Sequence, residues 1–244
     1  MTELLAQVLE AAGGTRRWSE VTAVRADVSI TGPFWDLKNW PGGLEHVTVE
    51  IDPREQRSTL TPFTAPALRS VFRTAPERLS IETLDGAGVE SRDRPRESFA
   101  GVTRTTAWDR LHLAYFLNYA LWNYLTTPFL FTYPGVRTEE IEPWREGDES
   151  WRRLRASFPE SIATHSDPQV FYFDADFAQR RMDYAPEVID NSPAAHYTSD
   201  HRRFDGIVFP TRRRVYPRDP RTNARQSEQH VIAVDLHTVE LRGA

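Results

Sequence analysis

The chain has 244 residues and a mass of 28.1 kDa, which suits one large all-β or α+β domain. Its formal net charge of −5 argues against a nucleic-acid partner, because phosphate groups attract basic protein surfaces. The sequence contains no cysteine, which excludes disulfides and thiolate metal sites. Lys38 is the single lysine, and its surroundings match neither a P-loop nor a Schiff-base site.

The N-terminal segment predicts an amphipathic helix over residues 3–12, capped by Thr2 and ended by Gly13-Gly14. Its acidic residues Glu3 and Glu10, and the lack of a long apolar run, are not typical of an export signal. We therefore expect a cytoplasmic protein. The side chains expected on the buried face are Leu4, Leu5, Val8, Leu9 and Ala12.

From Val21 onward the apolar residues recur at every second position, which is typical of β-strands. Residues 24–30 and 47–51 show this alternation most clearly. The loop between these two strands holds Phe34, Trp35 and Trp40, which is a high aromatic content for a loop. Further along, a hairpin is predicted on either side of Asp85-Gly86.

One helical segment interrupts the strand pattern. Residues 108–125 carry apolar side chains on nearly every face, so the predicted helix must be buried on most sides. A membrane span is the alternative, because the apolar stretch over residues 111–131 is about 20 residues long. Polar residues inside that stretch argue against a span: His112, Asn118 and Asn123. We therefore predict a helix packed into the concave face of a sheet, with a cavity on its other side.

Two antiparallel hairpins are indicated in the C-terminal part, which reads as a meander over residues 129–241. The first is Phe171–Tyr184 (FYFDADFAQRRMDY), where aromatic and polar residues alternate on both sides of a polar turn. The second surrounds Asp205-Gly206, a two-residue type I′ turn signal between alternating runs.

Together these elements predict one α+β domain over residues 1–244. Its main feature is a large curved antiparallel sheet, an open half-barrel of about ten or eleven strands with helices packed on the concave face. The sequence shows no internal repeat and no long linker that would divide the chain.

The pattern resembles the LolA/LolB/RseB lipoprotein-carrier fold. The resemblance is carried by the N-terminal amphipathic helix, the aromatic-rich helix and the two hairpins FYFDADFAQRRMDY and FDGIVFPTRRRVY (Phe204–Tyr216). It implies an open half-barrel whose concave face, covered by helices, accepts acyl chains. Unlike those carriers, the chain is not expected to carry an export signal, and the sequence contains no cysteine for a lipobox. The chain also resembles uncharacterised actinobacterial proteins of similar length.

The segment from His196 to His201 (HYTSDH) carries residue types used in acid–base chemistry. Strand alternation places His196 and Asp200 on one face, about 13 Å apart, and His201 on the other, so no metal site is predicted. The register set by the Asp205-Gly206 turn places Asp200 diagonal to Arg213, within reach of a cross-strand ion pair.

Two other histidines, His112 and His165, lie outside this segment. His112, near the start of the predicted helix, is either a cavity wall or a buried hydrogen-bonding group. His165, in a turn-like segment, is interpreted as a loop histidine.

Two functions remain open from the sequence. The first is the binding or carrying of a lipophilic small molecule or lipid, neutral or anionic, in the sheet cavity. Arg213 would hold an anionic headgroup, and the predicted aromatic lining is Trp35, Trp40, Tyr115, Tyr119 and Trp122.

The alternative is an enzyme that performs acid–base chemistry (hydrolysis, isomerisation or cyclisation) on a hydrophobic substrate in the same cavity. Its catalytic candidates are His196, Asp200 and His112. No nucleotide-binding or nucleophile-elbow motif is present, and no cofactor is predicted.

Overall fold

The computed structural model describes residues 2–243. Within them, thirteen strands form a single antiparallel sheet, which corrects the expected count of ten or eleven. The strands are β1 (Val21–Thr31), β2 (Leu44–Asp52), β3 (Arg57–Thr61), β4 (Leu68–Thr74), β5 (Glu77–Thr83), β6 (Gly88–Asp93), β7 (Arg137–Glu146), β8 (Glu149–Ser157), β9 (Gln169–Phe173), β10 (Gln179–Tyr184), β11 (Ala194–Phe204), β12 (Ile207–Pro217) and β13 (Ile232–Gly243).

The helices are fewer than the strands. In the described part of the chain the α-helices are α1 (Glu3–Ala11), α2 (Thr15–Glu20), α3 (Phe34–Leu37) and α4 (Arg110–Thr126). Three short 3₁₀ helices add to these: Pro95–Phe99, Phe129–Thr132 and Glu187–Ile189.

The sheet consists of two meanders joined at the middle. Strands β1 to β6 follow one another in space, as do β7 to β13, and the first and last strands, β1 and β13, pair with each other. Strands β6 and β7 therefore lie at the two edges, and α4 connects them along the chain. The arrangement is an open sheet of neighbouring antiparallel strands.

The inner face of the sheet follows the predicted alternation. In β1 the inward residues Val24, Ala26, Val28 and Ile30 are all buried, which confirms the period of two. Strand β4 was not predicted, because its inward position 70 holds a serine instead of an apolar residue. The Ser70 hydroxyl accepts a hydrogen bond from Asn118 Nδ2 at 2.9 Å, which satisfies this buried polar group.

Helix α4 lies against the inner face of the sheet. It packs on β3, β4 and β5, and the Tyr124 ring near its C-terminal end lies under Arg213 of β12. A helix that touches both halves of one sheet requires the sheet to curve around it. Every residue of α4 from Leu113 to Thr126 is buried, as the apolar pattern predicted. Among residues 2–243, no helix combines the length and the apolarity that crossing a membrane requires.

The start of α4 differs slightly from the prediction of residue 108. Asp109 is the N-cap, and its carboxylate accepts from the backbone N–H of His112 at 2.7 Å. In return, His112 Nδ1 accepts from the backbone N–H of Asp109 at 3.3 Å. This reciprocal capping satisfies two N–H groups that the first turn would leave free.

Helix α1 has the buried face that the leucine pattern predicted, with Leu4, Leu5, Val8 and Leu9 inside. Its C-terminal end meets the tip of the β11–β12 hairpin, where Val208 N–H donates to Ala12 O at 2.9 Å. Gly13 has a φ of 119°, and a Cβ there would lie 2.3 Å from the carbonyl oxygen of Gly206. Only glycine allows this close approach of two backbones.

Candidate functional site

An apolar pocket of about 290 Å³ opens between α3 and the strands of the C-terminal half. We call it the α3 pocket. Phe34 N–H donates to Val231 O at 3.0 Å, which holds the start of α3 against the segment before β13. Leu37, the last residue of α3, lines the pocket and is exposed. Its wall also includes two charged residues, Arg104 and Arg218, and the apolar or aromatic residues Phe34, Phe116, Tyr184, Ile189, Ala194, Val215 and Ile232.

A buried polar cluster lies behind the Tyr184 wall of this pocket. The Tyr184 hydroxyl is 3.2 Å from His196 Nδ1, and His196 is 0% exposed. The Tyr184 ring stacks on His165, with 4.2 Å between the ring centroids. His165 Nδ1 is 3.0 Å from the Tyr119 hydroxyl, and its Nε2 is 2.8 Å from the Tyr124 hydroxyl. We call these five side chains, together with Arg213, the polar cluster.

Arg213 is the charged member of the polar cluster. It is 2% exposed, and its guanidinium carbon lies 4.6 Å from the centroid of the Tyr124 ring. Nη2 donates to the Tyr124 carbonyl oxygen at 3.2 Å. Within residues 2–243, Nε and Nη1 have no hydrogen-bond partner, and no carboxylate forms an ion pair with this guanidinium. Burial lowers the pKa of Arg213 to about 10, so the group remains cationic at neutral pH.

The other members of the polar cluster are neutral at pH 7. Burial, with a smaller contribution from Arg96, lowers the pKa of His165 to about 3. Burial, followed by the charge of Arg213, lowers the pKa of His196 well below its usual value. Burial raises the pKa of Tyr124 to about 12. The cluster therefore carries a single positive charge, that of Arg213.

The three catalytic candidates do not come together. His196 belongs to the polar cluster, and His112 caps α4. Asp200 is exposed on the hairpin, where its carboxylate accepts from Arg202 Nη2 at 2.8 Å. The expected Asp200–Arg213 ion pair was therefore wrong, because Arg213 points to the buried face. In the described chain, no three His, Asp or Glu side chains converge as metal ligands would.

The backbone at Asp200 explains this error. The predicted hairpin register is confirmed, with Thr198 opposite Arg213. Asp200, however, has a φ of 54°, which interrupts the alternation of faces. Thr198 and His201 consequently both donate to the Gln179 carbonyl oxygen, so His201 lies on the inner side rather than the outer side.

The predicted aromatic residues take different places. Trp35 packs edge-on against Phe116 of the α3 pocket wall, with 6.2 Å between centroids, and is itself buried. Tyr119 belongs to the polar cluster. Trp40 Nε1 donates to Trp108 O at 3.0 Å, away from the pocket wall.

The two remaining predicted aromatics also lie outside the α3 pocket wall. The Tyr115 hydroxyl accepts from Arg96 Nε at 3.1 Å. Trp122 Nε1 donates to Asp52 O at 2.8 Å, at the turn between β2 and β3. The sequence did not identify Tyr124, Tyr184 or His165 as site residues, although strand alternation in β10 could have placed Tyr184 on the inner face.

Comparison with known proteins identifies the fold. The sequence matches no protein-family model and no curated protein. A LolA superfamily protein from Nitrosomonas europaea superimposes with a TM-score of 0.56 at 12% identity, covering 98% of this chain and 94% of that one. A domain from Vibrio parahaemolyticus, proposed to be an outer membrane lipoprotein-sorting protein, gives a TM-score of 0.52 at 6% identity, covering 96% and 92%. The chain therefore has a LolA-like fold, which confirms the resemblance seen in its hairpins.

The buried histidines predict a loss of stability in acid. The folded-state pKa of His165 is about 3 and its unfolded value is 6.5, so the unfolded chain binds more protons between these limits. Stability is then lost as pH falls below 6.5, by about 2 kcal/mol between pH 7 and pH 5 for this residue. The lowered pKa of His196 acts in the same direction. Urea unfolding at both pH values measures the loss.

The matched control for this prediction is His165→Gln, which keeps a hydrogen-bonding side chain but does not titrate. We expect a smaller difference in unfolding free energy between pH 7 and pH 5 than in the wild type. The same pH dependence in both proteins would contradict the assignment to His165.

Proposed function

We propose that this protein binds and carries a lipophilic small molecule or lipid in the α3 pocket. The observation that carries the proposal is the apolar wall of this pocket, built by α3, α4 and the C-terminal strands. Concave apolar pockets with a few polar groups at one end are typical ligand sites. The LolA-like fold supports the same function, since one structural neighbour is described as a lipoprotein-sorting domain.

The molecule that we propose is anionic at one end. Arg213 supports this, because its positive charge is buried behind the pocket with no carboxylate beside it within the described residues. A buried unpaired charge is unfavourable, and an anionic ligand group would compensate it. The cytoplasmic location expected from the sequence stays a prediction, which cell fractionation tests.

The enzyme alternative has less support. Acid–base catalysis by His196 needs a carboxylate or a second titrating group in reach. Asp200 is bound to Arg202 on the outer surface, and His112 is used in capping α4. The neighbours of His196 in the polar cluster are tyrosines, Arg213 and a neutral histidine, which suit binding better than proton transfer at neutral pH.

A pocket-filling variant tests the binding function. Ala194 lies in the pocket wall, and Ala194→Phe would place an aromatic ring in the space of the ligand. We expect the affinity for a neutral probe, dodecan-1-ol, to fall by at least about tenfold in isothermal titration. Native mass spectrometry of the wild type should show a lipophilic molecule that organic extraction removes.

The control variant is Ala178→Phe, which adds the same ring in a different cavity beneath α1. It should bind the probe as the wild type does. Equal affinity of the wild type and Ala194→Phe, with both folded by circular dichroism, would refute binding in the α3 pocket.

A further inference from the structure

We infer that the polar end of the ligand is a carboxylate, held by Arg213 and His196. The inference rests on the proposed function, because the apolar part of the same molecule would occupy the α3 pocket. It adds the chemical class of the ligand, a lipophilic monocarboxylate, and it assigns His196 as the second binding residue.

Strands β11 and β12 run from the α3 pocket to His196 and Arg213. Ala194 of β11 and Val215 of β12 line the pocket. The next inward residues along these strands are His196 and Arg213, each two positions further, which is about 7 Å. Both side chains are buried behind Tyr184 of the pocket wall, so a ligand group reaches them only when the Tyr184 ring turns aside.

In the polar cluster, three buried nitrogen atoms have no hydrogen-bond partner among residues 2–243: Arg213 Nε, Arg213 Nη1 and His196 Nε2. A buried polar atom without a hydrogen-bond partner is unfavourable, and more so when its group is charged. Two of the three are N–H donors of a cation. A group that accepts several hydrogen bonds and carries negative charge would satisfy them together.

His196 can supply a third donor. Its Nδ1 is 3.2 Å from the Tyr184 hydroxyl, and a neutral imidazole has one donor and one acceptor nitrogen. When the Tyr184 hydroxyl donates to Nδ1, the proton of the ring is on Nε2, the atom without a partner. A carboxylate accepts from N–H groups, so its binding selects this tautomer.

The charge of the polar cluster favours a carboxylate over a phosphate monoester. Arg213 provides one positive charge, and both histidines are neutral at pH 7. A carboxylate carries one negative charge, whereas a phosphate monoester carries about 1.5 to 2 at this pH. The single charge of Arg213 balances that of a carboxylate and would balance only part of the charge of a phosphate monoester.

A matched ligand pair tests the inference. Dodecanoic acid and dodecan-1-ol have the same chain and differ at the polar end. Titration calorimetry of the wild type at pH 7.5 should show the acid binding at least about tenfold more tightly than the alcohol. Arg213→Met should reduce the affinity for the acid to that for the alcohol. Arg212→Met, one residue away with its side chain on the outer face, should keep the preference for the acid.

A second measurement does not require an Arg213 variant to fold. In ¹⁵N NMR of the wild type with dodecanoic acid, His196 should have a protonated Nε2 and an unprotonated Nδ1. The His196 signals are identified as those that disappear in the His196→Gln variant. Equal affinity for acid and alcohol would overturn the carboxylate inference and leave the proposed function in place. Bound acid with His196 protonated at Nδ1 would also overturn it, and binding of neither molecule would overturn both proposals.

Discussion

Trp122→Ala should lower the free energy of unfolding by about 3–5 kcal/mol, the cost of removing a large aromatic side chain from a close-packed core. Trp122 is 1% exposed and lies on α4. Its ring packs edge-on against Tyr133, with 6.0 Å between centroids. Its Nε1–H donates to Asp52 O at 2.8 Å, so it also joins α4 to the β2–β3 turn. The substitution removes apolar contact and leaves that carbonyl oxygen without its donor.

Two variants divide this effect into its parts. Trp122→Phe keeps most of the ring contact and loses the hydrogen bond, so its loss should be smaller than that of the alanine variant. Trp40→Ala removes a half-buried tryptophan that also donates one hydrogen bond, and it should cost less because less apolar area becomes exposed. Urea unfolding measures all three. A loss below about 1 kcal/mol for Trp122→Ala would contradict its position in the core.

The regular parts of the fold were predictable because their signals are local. A side-chain period of two defined β1, and the Asp205-Gly206 turn fixed the register of β11 and β12. Strand β4 was missed because Ser70 stands where the pattern requires an apolar residue. Its burial depends on Asn118, which is 48 residues away in sequence.

The candidate site was only partly predictable, for a related reason. Arg213 and His196 were identified from their residue types and strand positions. Their surroundings depend on His165, whose loop between β8 and β9 brings it to α4, 41 residues from Tyr124. No short-range pattern indicates that contact. The positive φ of Asp200 could not be predicted either, because the alternation of side chains between the two faces assumes an uninterrupted strand.

A buried ion pair that the sequence did not predict lies on the outer face of the sheet. Arg181 of β10 is 0% exposed, and its Nε and Nη2 donate to the Asp183 carboxylate at 2.6 and 3.0 Å. Nη2 also donates to Asn223 O at 2.6 Å, which attaches the loop after β12 to the sheet. The Tyr172 hydroxyl donates to the same carboxylate at 2.6 Å. These contacts form a polar core under that loop.

Arg181→Met should lower the free energy of unfolding by about 3–5 kcal/mol, because the buried Asp183 carboxylate loses its bidentate cation and keeps only the longer contact with Arg218 Nε at 3.8 Å. The double variant Arg181→Met/Asp183→Leu should recover much of this loss, since it removes the uncompensated charge as well. Arg214→Met breaks the more exposed ion pair with Asp235 and should cost no more than about 1 kcal/mol.

Limited proteolysis adds a local measure of the same substitution. Trypsin should cleave after Arg221 or Arg225 faster in Arg181→Met than in the wild type, because the loop loses its hydrogen bond through Asn223. If the single and double variants were equally unstable, the loss of stability would come from the missing guanidinium contacts with the loop and the Tyr172 ring. It would not come from the unpaired Asp183 carboxylate. The double variant therefore separates the two causes. If it regains stability but is still cleaved rapidly by trypsin, the stability loss comes from the unpaired Asp183 charge, and the attachment of the loop depends on Arg181.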